Sequence, residues 1–318
     1  MRSSRLRAIG GVAVSIVALL LVIRGVDLQA TANVLRSADF RWIGLGAVFA
    51  CGDLAFRGLR WQRLVHPIKA VSYLPMLGYL LIGYLMNNVL PARLGELVRS
   101  HYLGDREGIS RASALGTVVV ERIVDLVAVV GIASVSLLVL SVRGVVASAV
   151  LVGAAVAGLF LLALALGIVA HRLPGADRAR AAVERWPQVR ELASRLQGGL
   201  AVAGRPRTLA EALGVSAVAW TVAILAWAAV GQSIGVELSM AQAALLASGV
   251  ALASAVPAGP SNLGTFELAA VQIGKAIGVP ADSAFALGLI VHAAILVTTS
   301  VGGGVAVARL GWERPPAD

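Results

Sequence analysis

Val145–Ala170 reads VVASAVLVGAAVAGLFLLALALGIVA, 26 residues without one charged side chain. A helix of roughly 20 apolar residues crosses the hydrocarbon core of a bilayer, and a soluble core needs nothing as long. Ala212–Val236 supplies 25 more uncharged residues and Ser283–Ala308 another 26. Across all 318 residues, 58% are hydrophobic and 14% charged, with a mean hydropathy of +0.85. Soluble domains carry about 25% charge, so an ordinary soluble enzyme is excluded. The fold class is an all-α polytopic membrane protein, a single transmembrane domain over residues 1–318.

Working outward, the apolar passes are Ala8–Ile23, Trp42–Phe56, Val71–Leu90, Ala112–Val142, Val145–Ala170, Ala212–Val236, Leu238–Val256, Thr265–Val279 and Ser283–Ala308. Arg2, Arg5 and Arg7 before the first pass, with Ala30-Thr31-Ala32 after it, imitate a signal peptide. Arg24 and Asp27 interrupt that pattern, so the segment reads as an uncleaved first helix.

The net charge is +10. Its arginines lie between apolar runs, which points to membrane sidedness rather than to nucleic acid. The N-terminus, the four Lys or Arg of Arg57–Lys69 and the eight Arg of Arg172–Arg207 are therefore placed in the cytoplasm. Within residues 172–207, Val183, Trp186, Val189, Leu192, Leu196 and Leu200 recur at helical spacing. This reads as an amphipathic, basic connection on the cytoplasmic face, split at Pro187. Cys51 is the only cysteine and no G-x-x-x-x-G-K loop occurs, so neither a disulfide within the chain nor ATP use by that route is expected.

Parity then constrains two segments. With Lys69 and Arg99 both inside, Val71–Val98 enters and returns on one side in 28 residues, whereas two crossings need about 40. Leu238–Asp282 must also return to its own side, turning at Pro257-Ala258-Gly259-Pro260-Ser261-Asn262-Leu263-Gly264. The expectation is about seven or eight transmembrane helices with two re-entrant hairpins, and both termini cytoplasmic in the cell membrane. Pro91-x-x-Leu94-Gly95 with Glu96 matches Pro260-x-x-Leu263-Gly264 with Glu267 at a spacing of 169 residues. Hairpins entering from opposite sides form the pattern of an inverted repeat whose broken helices meet at a substrate site.

Charges inside apolar helices mark candidate sites, because each costs about 2.5–3.5 kcal/mol at the bilayer centre unless paired. Asn87, Asn88 and Pro91 precede Arg93, Glu96 and Arg99; if Pro91 opens a helix, the three charges lie along one side and pair in series. They suit either a polar cavity or an interfacial anchor. Glu121, Arg122 and Asp125 sit in the first half of a long apolar pass. They need partners from another element, with Arg93 and Arg99 as candidates, whether for a binding site or a structural staple. Pro257, Pro260, Asn262 and Glu267 form the third group, at a helix start able to receive an anion or to be capped by Glu267. Asp53, Arg57 and Arg60 sit near a cytoplasmic mouth, where topology alone accounts for both arginines. His292 stands alone in mid-helix, a buried bonded histidine or a proton carrier. His66, His101, His171 and His292 have no ligand spacing, so no metal or cofactor is expected.

The run Asn88-x-x-Pro91-x-Arg93-x-Gly95-Glu96-x-x-Arg99, then Glu121-Arg122-x-x-Asp125, then the Pro-Gly turn ending in Glu267 resembles the flippase-like membrane domain of lysylphosphatidylglycerol synthases, over essentially the whole chain. The third family motif usually reads closer to Pro-x-x-Pro-Gly-Gly-x-Gly, and Ser261-Asn262 stands in place of the paired glycines. The resemblance implies movement of an aminoacylated phospholipid or other lipid-linked cargo between leaflets, without the synthase portion. The expectation is therefore a lipid translocase and not an enzyme, whose partners are membrane and lipid. A membrane transferase acting on polyprenyl-phosphate sugars, with Glu96, Glu121 or Asp125 as base, and a scaffold are the alternatives. Gly231-x-x-x-Gly235 and Gly274-x-x-x-Gly278 leave homo-oligomerisation undetermined.

Overall fold

The computed structural model describes residues 2–90, 94–170, 199, 201–255 and 259–311, with the side chains of 2–12, 157, 160–170 and 203 excepted. Pro91, Arg93, Pro257 and nearly all of the expected amphipathic connection at 172–207 lie outside the described residues. Within them the chain is helical. Its elements are α1 (Arg2–Gly25), α2 (Leu28–Arg36), α3 (Phe40–Val65), α4 (Tyr73–Val89), α5 (Gly95–Glu107) and α6 (Arg111–Leu140). These are followed by α7 (Val145–Ala170), α8 (Pro206–Ser233), α9 (Met240–Ala253), α10 (Thr265–Ala276) and α11 (Ala281–Leu310), with short 3-10 turns at Ala201–Gly204 and Pro260–Asn262.

Local chemistry sets the boundaries. The Asp39 carboxylate accepts from Arg41 N at 2.8 Å and starts α3, while Ser110 Oγ accepts from Ser113 N at 3.0 Å and starts α6. Ser239 and Gln242 form a reciprocal capping box at α9. Pro206 occupies the first turn of α8, where its missing N–H costs nothing. Gly108, at φ 63°, ends α5 in the left-handed region.

Among the described residues, α3, α6, α8 and α11 are long and apolar enough to cross a membrane, and α1 with α2 makes a fifth span if that pair, bent by 86°, counts as one. This differs from the seven or eight passes expected. The passes Val71–Leu90, Leu238–Val256 and Thr265–Val279 become helices of 17, 14 and 12 residues, short of the roughly 20 a crossing needs. The pass at Trp42–Phe56 is instead longer than its apolar run. It continues to Val65 as a 26-residue helix, because its charged residues find partners inside the protein.

The packing of residues 40–140 recurs in residues 206–310. α3 packs along α8, α4 lies on α11 as α9 lies on α6, and α5 joins α4 to α6 as α10 joins α9 to α11. The helix starts of the two sets are offset by close to 169 residues throughout. One apolar cluster surrounds α4 and α5 (Trp61, Met76, Leu80, Tyr102, Leu103, Val118), and the other surrounds α9 and α10 (Trp227, Leu245, Leu246, Phe266, Ala270, Leu287). Charged and polar side chains fill the space between.

Helices in lipid associate by close packing rather than by escape from water, and Gly95 is where this is tightest. A Cβ there would collide with the Gly83 carbonyl and sit 2.6 Å from Asn87 Oδ1. Gly95→Ala is expected to destabilise the detergent-solubilised protein by about 1–3 kcal/mol through forced backbone separation. Gly131→Ala, in open space on α6, should leave the thermal unfolding midpoint unchanged or slightly raised.

Candidate functional site

α3 carries Asp53, Arg57 and Arg60 on one face. Arg57 Nε bonds Asp53 at 2.8 Å, one helical turn away. Arg60 is fully buried and bridges three helices. Its guanidinium donates to both oxygens of Asp125 on α6 (2.9 Å to Oδ2), to Glu121 Oε1 at 3.2 Å and to Ser216 Oγ of α8 at 2.8 Å. From α5, Arg99 donates to Glu121 Oε2 at 2.9 Å while its guanidinium lies over Trp61, 4.6 Å from the ring centroid. Trp61 is held in turn by a 3.0 Å bond from its indole N–H to Thr117 Oγ1. Arg122 bonds Glu121 at 2.5 Å and pairs with Glu96 and Asp125, each at 3.6 Å.

Arg57, Arg60, Arg99 and Arg122 thus face Asp53, Glu96, Glu121 and Asp125, and the described network sums to zero charge. Burial of such charges is tolerated because each is paired with an opposite charge, and the fully buried Arg60 and Glu121 are each bonded more than once. The partner expected for Glu121 on α5, Arg99, is the one found. Asp125 is met chiefly by Arg60, which sequence reasoning left in a cytoplasmic loop. α5 begins at Gly95, so Glu96 and Arg99 share a helix but reach separate partners on α6 rather than pairing in series.

Beside this network lies a cavity of about 800 Å³, lined by residues that include Asp53, Arg57, Glu96, Arg99, Arg122 and Asp125 on one wall. Asn87, Asn88, Ser261, Asn262 and His292 line it elsewhere. The broken ends of the two short helix pairs meet at this cavity. Asn87 Oδ1 accepts from Gly95 N at 2.8 Å. The Asn88 amide donates to Thr299 and Ser300 of α11 at 2.9 and 3.1 Å. Ser261 Oγ crosses to the Asn88 carbonyl at 2.9 Å. Ser261 and Asn262 have φ of 59° and 56°, the left-handed region that glycine enters without cost. Gly264, at φ 84°, passes close beneath the Ser15 carbonyl of α1, and its N–H is capped by Glu267 Oε2 at 2.7 Å. Pro260 opens the 3-10 turn at this tip.

His292, read from sequence as solitary, faces Glu267 Oε1 at 2.5 Å and the Ser261 carbonyl at 2.9 Å, and stacks on Phe266. Only the tertiary fold brings α11 to this tip. Three buried donors on the cavity wall, Arg99 Nη2, Arg122 Nε and Trp220 Nε1, have no hydrogen-bond partner among the described residues, although Arg122 Nε lies 3.6 Å from the Glu96 carboxylate. Among those residues no three His, Cys, Asp or Glu side chains cluster as a metal site.

Span-length apolar helices closing on a charged internal cavity define a polytopic helical membrane protein. Within that class, the chain belongs to the family described as the lysylphosphatidylglycerol synthase TM region, whose model matches residues 8–303. The chain is also similar to Glycosyltransferase AglD of Haloferax volcanii, at 27% identity over 94% of this chain and 54% of that protein. It spans about half the length of this curated relative. The expectation that the chain is not an enzyme is corrected by this likeness, since a protein matched along nearly the whole chain carries a transferase name.

The network makes a stability prediction. Arg60→Leu leaves Asp125 only its longer pairs with Arg122 and Arg57 and weakens the hold on Glu121, and is expected to cost about 3–5 kcal/mol, the range for breaking a buried pair by removing one partner. Arg207→Ala, at the exposed Arg207–Glu211 pair, should cost less than about 1 kcal/mol. Thermal unfolding in detergent checks both.

Proposed function

We propose that the chain is a lipid translocase of the cell membrane: its cavity takes the phosphate-bearing head group of a phospholipid or lipid-linked saccharide while the acyl or prenyl chains stay in the bilayer. The observation that carries this reading is the set of buried donors without a hydrogen-bond partner on the wall of the cavity, above all Arg99 Nη2 and Trp220 Nε1, which unlike Arg122 Nε face no carboxylate of their own. An unsatisfied buried donor is costly, and the oxygens of an anionic head group are acceptors of the kind each lacks. Since the eight surrounding ionic groups balance, the wall itself neither demands nor repels net charge, and local donors decide the fit. A cavity of about 800 Å³ falls in the size range of small-molecule sites.

The membrane arrangement belongs to the same proposal. α4–α5 and α9–α10 act as two re-entrant hairpins entering from opposite sides, and residues 40–140 and 206–310 as an inverted repeat whose alternate tilting exposes the cavity to each leaflet. The recurring packing of the two halves supports this. Sidedness follows from charge. Among the described residues, the end of the molecule that joins Arg106 and Tyr102 to the C-terminus of α11 also gathers Arg63, Lys69, Arg111, Arg205, Arg207 and Arg309 against Asp105, Glu107 and Glu211. That end is assigned to the cytoplasm, with both termini. The segment at 172–207 is proposed to lie on the same face.

One observation favours a second reading. The likeness to a protein named as a glycosyltransferase suits a chain that presents a lipid-linked sugar for transfer, with Glu96 or Asp125 near the cavity mouth as base. The two readings share a lipid phosphate and differ in whether a bond is made.

Purified protein in liposomes, given head-group-labelled phospholipids and a polyprenyl-phosphate sugar, separates them. Movement of one lipid class is expected. Arg99→Gln should slow it by about ten- to hundredfold, the equivalent of a charge-assisted hydrogen bond of about 1.5–3 kcal/mol. Trp220→Phe, which removes only the indole N–H, should slow it by about two- to tenfold. A folded protein that moves no lipid in the panel but alters the sugar would end the translocation reading and establish transfer.

A further inference from the structure

The tip of the second short pair sets two acceptors around one imidazole. His292, 4% exposed on α11, presents Nδ1 to Glu267 Oε1 at 2.5 Å and Nε2 to the Ser261 carbonyl oxygen at 2.9 Å. A backbone carbonyl only accepts hydrogen bonds, and so does an ionised carboxylate, while a neutral imidazole owns a single N–H. With Glu267 ionised and His292 neutral, one of the two contacts would set lone pair against lone pair. One added proton satisfies both contacts. It gives either an imidazolium donating from both nitrogens, or a protonated Glu267 donating to Nδ1 while Nε2–H donates to Ser261. Glu267 Oε2 accepts from Gly264 N at 2.7 Å in either case.

Among the described residues the pair is isolated from other charge. Lys275 lies two turns further along α10, Asp282 nearly three turns away on α11, and Arg24 at the far end of α1. α9 carries no ionisable side chain, nor do the described side chains of α7. Across the cavity the nearest charged wall is that of Arg122 and Asp125, already paired with each other and with Glu121 and Arg60. The opening is shared with the lipid pathway, because His292 and Ser261 both line the cavity.

We propose that Glu267 and His292 form a proton-binding site that couples movement of the lipid to the proton gradient across the membrane. The coupling rests on the translocation reading above; the proton site stands apart from it. A proton arrives from water on one side, is held by the pair, and leaves to water on the other, with nothing oxidised or reduced. Its departure leaves the pair with one negative charge and breaks one of the two contacts to His292. The contact to Ser261 matters for the motion, since the Ser261 hydroxyl ties this tip to the Asn88 carbonyl of the other. Proton release thus loosens the residue that joins the two hairpin tips.

The test has two readouts. In the His66→Gln, His101→Gln, His171→Gln protein, His292 is the only histidine and its site is untouched. Nitrogen-15 resonance and infrared spectra of this protein in lipid nanodiscs report the protonation of His292 and Glu267. The expected result at neutral pH is a doubly protonated imidazole or a protonated carboxyl; a neutral imidazole with an ionised carboxylate from pH 5 to 9 would overturn the proton site. In liposomes, a gradient of one pH unit should drive about tenfold lipid asymmetry at one proton per lipid. Glu267→Gln keeps both hydrogen bonds of the protonated form, so it should move lipid with no response to the gradient. A response equal to wild type in that variant, or a wild type indifferent to the gradient, would overturn the coupling while leaving translocation intact. If no lipid moves under any gradient, the translocation reading and the coupling fall together, and the spectra alone decide the proton site.

Discussion

A charge inside a bilayer protein must be paired by the protein itself, and the buried guanidinium of Arg60 is where that requirement organises this fold. Arg60 is fully buried, so it finds its acceptors in Asp125 and Glu121 of α6 and Ser216 of α8. Those bonds fix how α3 is rotated and how far it slides against two neighbours. The same rotation turns Asp53 and Arg57 toward the cavity and sets Trp61 under Arg99. Glu121, held between Arg60, Arg99 and Arg122, then ties α5 to the frame. With its carboxylate partners used up, Arg99 keeps one N–H group over for whatever enters the cavity.

The cavity exists because four helices stop short. α4, α5, α9 and α10 are each under 20 residues, and their ends leave backbone groups that lipid cannot satisfy. Side chains do so instead, with Asn87 serving Gly95 N and Glu267 serving Gly264 N. In the proposed re-entrant arrangement, non-helical backbone within the membrane is tolerated where it lines a polar space. The polar lining is therefore a structural necessity as well as the proposed binding surface. One set of residues answers both demands.

Most of the architecture was legible in the sequence where the signal was long and one-sided. The uncharged runs at 145–170, 212–236 and 283–308 became helices with nearly those bounds, and the start of α10 at Thr265 followed from the Pro-Gly turn. Glu121, with Arg99 as its partner, was legible because charges in an apolar helix require company. Arg57 and Arg60 were not, because their spacing in a basic segment is equally that of a cytoplasmic anchor; only a partner 65 residues away distinguishes the two. His292 was read as solitary for a related reason, since its partners lie 25 and 31 residues earlier across a turn. At Ser261 and Asn262 the sequence departs from the paired glycines of the family motif, yet the backbone keeps positive φ at both positions. The turn's shape is set by its surroundings more than by those two residues.

The balance of four arginines against four carboxylates along the cavity has an electrical consequence. A helix that shifts through the membrane field does work in proportion to the net charge it carries, about 2.3 kcal/mol per elementary charge at 100 mV. Voltage sensors exploit that term by stacking unopposed arginines. Here each guanidinium travels with a carboxylate beside it, so the described wall shifts as an electrically silent body. The membrane voltage then has no grip on that wall, and any voltage dependence must reside in what the cavity holds or in the proton carried by Glu267 and His292.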